Sequence, residues 1–69
     1  MVKYSIIIEK VGNNYSAYFP DVPGCVATGD TINEVKDNLK KALEINLRGL
    51  MEDGLPIPKA ESQVDYITI

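Results

Sequence analysis

From Val2 to Lys10 the chain alternates. Val2, Tyr4, Ile6 and Ile8 fall on one side of an extended backbone and Lys3, Ser5 and Glu9 on the other, with Ile7 the apolar exception on the outer side. Alternation of this period predicts a half-buried strand. Val11-Gly12-Asn13-Asn14 supplies turn chemistry, so a hairpin follows. Tyr15, Ala17 and Phe19 continue the inward face on a second strand, with Ser16 and Tyr18 outward. Cys25 to Thr28 predicts a short third strand paired with the second.

Between these two strands runs Phe19-Pro20-Asp21-Val22-Pro23-Gly24-Cys25. Neither proline donates a backbone hydrogen bond, and each biases the residue before it toward extended conformations. Gly24 permits a left-handed turn that a Cβ would resist. The chain must therefore turn rigidly over Asp21 to Gly24 and return near Cys25.

After Gly29-Asp30 the period changes. Ile32, Val35, Leu39, Ala42, Leu43, Leu47 and Leu50 recur at helical spacing and form one apolar stripe. Thr31 as N-cap puts Glu34 at the third helical position, the spacing of a capping box. Asp30 and Glu34 also place negative charge at the positive end of the helix dipole. Gly54 predicts the C-terminal stop and Pro56 prevents resumption. Val64 to Ile69 alternates again and predicts a last strand that docks in the sheet.

The expected fold is α+β in the order β-β-β-α-β. An antiparallel three-stranded meander carries one helix on one face, and a fourth strand after the helical crossover lies parallel to the first. One helix covers one sheet face, so Ile7, Tyr18, Ile67 and Ile69 are expected on the other, a modest apolar surface for a dimer or a partner.

Length limits the options. Sixty-nine residues make one domain, residues 1–69, whose small core favours self-association as a homodimer or higher homo-oligomer. The single cysteine, Cys25, has no intramolecular partner, and the longest aliphatic run is Ile6-Ile7-Ile8. A cytoplasmic protein without a membrane span is expected. The net charge of −3 and the lack of histidine argue against direct nucleic-acid binding and remove the commonest general base. A basic protein partner suits the acidic balance.

Tyr18-Phe19-Pro20-Asp21-Val22-Pro23-Gly24-Cys25, then Gly29-Asp30-Thr31 with Glu34, then Gly54-Leu55-Pro56-Ile57-Pro58 together strongly resemble the HicB antitoxin family. The resemblance covers nearly the whole chain. It implies a partial RNase H-like fold and the antitoxin half of a type II toxin–antitoxin pair. The toxin, HicA, is a small basic ribonuclease that cleaves messenger RNA, and the antitoxin occludes its active site. Many members add a C-terminal DNA-binding domain; this sequence ends at Ile69, directly after the predicted last strand, so none is expected here.

The predicted function is therefore binding and occlusion of a HicA-like toxin, with an orphan regulatory or oligomerisation module as the alternative. Charge and exposure select the Asp21, Val22, Pro23 and Gly24 loop, with Asp30 and Glu34, as the partner-binding residues. Each also has a purely structural reading, the loop as a rigid connection and the two acids as helix-start chemistry. Neither a catalytic residue, a metal nor another cofactor is expected. Cys25 has no histidine to activate it. A metal-dependent nuclease would need converging carboxylates, and Asp37 and Asp65 lack a partner inside the first strand. Tyr4 and Tyr15 face the helix side, as core aromatics rather than base-stacking platforms.

Overall fold

In the computed structural model, residues 2–69 are described and Met1 lies outside the described residues. Three strands, β1 (Ile7–Val11), β2 (Asn14–Tyr18) and β3 (Val26–Gly29), precede one helix, α1 (Ile32–Glu52). The strands form an antiparallel meander in the order β1-β2-β3. The hairpin between β1 and β2 closes over two residues, with Gly12 at φ 62° and no non-glycine residue at positive φ. That is the signature of a type II′ turn, whose twist matches that of the strands it joins.

The register fixes two faces. Ile8 pairs with Ala17 and Ala17 with Ala27, placing these three beneath the helix. Ile7 pairs with Tyr18 and Tyr18 with Val26 on the opposite face. The core comprises Ala17, Phe19, Val22, Cys25, Val35 and Leu39, with Tyr4, Ile6, Ile8, Tyr15, Ala42 and Leu43 packed against it. Tyr4 meets Phe19 edge to face, with centroids 5.9 Å apart and planes at 75°, a favoured geometry for aromatic pairs.

Thr31 caps α1: its Oγ1 accepts from the Glu34 N–H at 3.0 Å. The Glu34 carboxylate returns to the N–H of Asp30 at 3.3 Å, one residue before the cap. At the far end Gly54, at φ 69°, donates to the Met51 carbonyl at 3.2 Å, and Leu55 donates to Leu50 at 2.9 Å. These two bonds make a complete Schellman motif.

The expected fourth strand is corrected, and the apolar stripe of the helix is only partly covered. Twenty-one helical residues span about 31 Å, whereas a five-residue strand spans about 17 Å. The apolar stripe thus outruns the sheet: Val35 and Leu39 are buried, Leu47 and Leu50 only half-buried, and Ile32 at the start is exposed. No fourth strand forms among the described residues, and the chain from Leu55 onward has no regular secondary structure. Instead the segment after Pro58 is held by side chains. The Tyr4 hydroxyl donates to the Pro58 carbonyl and the Ser5 hydroxyl to the Ser62 carbonyl at 2.9 Å. The backbone of residues 64–69 joins no ladder, and Tyr66, Ile67 and Ile69 stand fully out.

Candidate protein-binding surface

The proline loop is two successive turns. Val22 donates to the Phe19 carbonyl and Cys25 to the Val22 carbonyl, each at 3.2 Å, and Phe19 reaches the Cys25 carbonyl at 3.4 Å. Gly24 sits at φ 79°, the left-handed conformation the sequence predicts. The loop folds inward on its middle residue: Val22 is only 2% exposed, so its side chain serves the core and offers nothing to a partner. Pro20, Pro23 and Gly24 remain exposed.

Asp21 has a role the sequence did not suggest. Its carboxylate accepts from the Ser62 N–H at 3.0 Å, the Ser62 hydroxyl at 2.6 Å and the Glu61 N–H at 3.2 Å. These bonds, those from Ser62 foremost, hold its carboxyl below the usual carboxylate range. Asp21 latches the C-terminal segment to the proline loop across 41 residues of sequence. Ser62 and Ser5 are the partners sequence reasoning missed, because no local pattern marks a serine that anchors a distant backbone.

Asp30 and Glu34 are exposed at the start of α1, where Glu34 also completes the cap. Pro23, Gly24, Asp30 and Glu34 are thus exposed, the first two just before β3 and the last two just after it, while Asp21 is engaged within the chain and Val22 is enclosed. Cys25 is buried, and that burial pushes its thiol pKa up, away from the thiolate a nucleophile requires. Among the described residues no three His, Cys, Asp or Glu side chains gather to hold a metal ion. No described helix is long and apolar enough to cross a membrane.

The open face of the sheet is the second surface. Ile7, Tyr18 and Val26 form one cross-strand row on it; Tyr18 is 40% and Val26 58% exposed. The sequence reading placed Val26 in the third strand without assigning its face, and the register shows that it shares one with Tyr18. A row of this kind, set in a polar surround of Glu9, Ser16 and Thr28, has the makeup of a protein contact rather than of a pocket for a small molecule.

Known proteins place this architecture. The family model "HicB_like antitoxin of bacterial toxin-antitoxin system" matches residues 4–68. A chain in the solved structure of a HicA3 and HicB3 toxin-antitoxin complex superposes with a TM-score of 0.72 and 32% identity, covering 87% of this chain and 70% of that one. An uncharacterized protein from the rep-hol intergenic region of Haemophilus phage HP1 is 42% identical over 93% of this chain, which spans 48% of the phage protein. A UPF0150 protein of Synechocystis is 31% identical, with 96% of this chain and 85% of that protein covered. The chain belongs to the HicB-like antitoxin family.

Proposed function

We propose that this member of the HicB-like family is the antitoxin of a type II toxin–antitoxin pair, which binds a HicA-like ribonuclease and blocks access to its active site. The observation that carries the reading is the likeness, at 32% identity over 87% of the chain, to a component of a solved HicA3 and HicB3 complex. The acidic balance of −3 supports it, because a basic partner is drawn to such a surface and a phosphate backbone is repelled. The function is occlusion rather than catalysis, in the cytoplasm, by a single domain of partial RNase H-like kind.

Contact is assigned to the exposed part of the predicted surface: Pro23 and Gly24 on the proline loop, with Asp30 and Glu34 beside the start of α1. Asp21 and Val22 support that surface from within, one by latching the C-terminal segment and the other by fixing the loop on the core. Purified chain added to a HicA-like toxin is expected to abolish its RNA cleavage at one equivalent per active site. Undiminished cleavage at a large excess contradicts the reading. Neutralising Asp30 and Glu34 together (Asp30→Asn, Glu34→Gln) is expected to slow association and flatten its salt dependence, as removal of rim charges does. Unchanged association would move the contact elsewhere, and the open-face row of Ile7, Tyr18 and Val26 is then the surface to vary.

A further inference from the structure

We infer that residues 58–62 form a strap that clasps the first segment of the chain to the proline loop and lets go of both in one step. Closed, as in the structure, the strap holds residues 2–6 against the core. Open, it frees residues 2–6 and 55–69 together from an intact body of β1, β2, β3 and α1. The first segment needs such a device because the ladder stops short of it. The last pair of the hairpin is Ile7 with Tyr18, and continuing that register sets Ile6 against Phe19 and Ser5 against Pro20. Phe19 gives its N–H to the Cys25 carbonyl at 3.4 Å, on the β3 side. The next donor toward the first segment is then Pro20, which has no N–H. Residues 2–6 accordingly lie in no strand, although Tyr4 and Ile6 pack against the core.

The strap supplies what the ladder does not. Its Pro58 carbonyl accepts from the Tyr4 hydroxyl, and its Ser62 carbonyl accepts from the Ser5 hydroxyl at 2.9 Å. Toward the proline loop, Ser62 gives Asp21 its N–H at 3.0 Å and its hydroxyl at 2.6 Å, and Glu61 adds its N–H at 3.2 Å. Ser62 thus ties residue 5 to residue 21 through its own carbonyl, amide and hydroxyl. On either side of the strap, residues 55–57 and 63–69 are exposed.

Release in one step follows from how these bonds share one short segment. The first bond to form bears the cost of ordering the strap and closing the long loop behind it; the others then form on a segment already fixed. The converse holds on opening, since a strap freed at Pro58 no longer holds Ser62 in place for Ser5 and Asp21. All but the Tyr4 bond are exposed, and exposed bonds with little apolar burial around them mark the parts of a fold that open before the rest. Opening also parts Tyr4 from Phe19, its edge-to-face neighbour, and bares a ring that is 7% exposed in the closed state.

The test is amide hydrogen exchange and backbone relaxation by NMR on the full chain, on Tyr4→Phe and on Asp21→Asn. Each substitution removes one anchor and is read at the other. In Tyr4→Phe the Ser62 amide, which is bonded to Asp21 and not to Tyr4, is expected to lose protection about fivefold, the worth of one hydrogen bond. In Asp21→Asn the order parameters of residues 3–6 are expected to fall, although Asp21 bonds none of them. The Val35 amide, which donates to the Thr31 carbonyl at the start of the helix, is expected to stay unchanged in both variants. A Ser62 amide unmoved by Tyr4→Phe, or residues 3–6 unmoved by Asp21→Asn, means that the anchors release separately and overturns the inference. Equal loss of protection at Val35 overturns it as well, because the whole domain then opens rather than the strap. These readouts are taken on the free chain, so their failure leaves the antitoxin reading untouched.

Discussion

At Gly29 the helix comes so close to β3 that a Cβ would stand 2.7 Å from the Val35 nitrogen and 3.0 Å from its Cα. Both neighbours are backbone atoms, which cannot swing aside. Gly29→Ala is therefore expected to lower stability by about 1–3 kcal/mol, read as a shifted midpoint in urea. Gly49 is the contrast: it lies inside α1 with nothing within 4 Å of its missing Cβ. Gly49→Ala should raise stability by roughly 0.5–1 kcal/mol through helix propensity. If the two substitutions moved the midpoint in the same direction, the packing of α1 on β3 would be wrongly described.

Asp21 gives a pH dependence with a definite sign. Hydrogen bonds from Ser62 and Glu61 favour its charged form and lower its pKa from 3.8, so the latch is at full strength above the ordinary carboxylate range. It is lost as pH falls through the lowered folded value. The amide resonance of Ser62 should accordingly titrate on acidification in the parent chain and stay flat in Asp21→Asn. A flat response in the parent, or an unchanged one in the variant, contradicts the latch. The proline loop was legible in the sequence because Pro and Gly chemistry is local; the latch was not, because its two halves stand 41 residues apart and neither carries a local signature.

At the level of elements, the meander and the helix were legible for the same reason: their signals are short-range. Alternation placed Tyr4, Ile6, Ile8, Tyr15 and Ala17 on the core side, and the Thr31 cap and Gly54 stop lie where their chemistry required. Thr31→Ala is expected to cost about 1 kcal/mol, measurable by thermal unfolding. A midpoint unmoved by that substitution would mean the cap is replaced by solvent at no cost. The last strand was misread because periodicity reports what a segment suits, not whether a neighbour is present. Val64 to Ile69 suits a strand and joins no ladder in the structure. The distal half of α1 teaches the same lesson: Leu47 and Leu50 carry the stripe past the end of the sheet, where a helix pattern cannot know how far its cover extends.

For the whole molecule, small size and an acidic surface govern what it can do. A chain with a net charge of −3 is suited to meeting a basic surface. Family membership over residues 4–68 and the likeness to a chain of a HicA3 and HicB3 complex are the observations on which the proposed antitoxin role rests. The most direct measurement is co-expression of this chain with a HicA-like toxin, scored by growth and by co-purification. The account predicts that growth is restored and that the two proteins elute as one complex. Persistent growth arrest with both proteins expressed and folded, and no complex recovered, would contradict it.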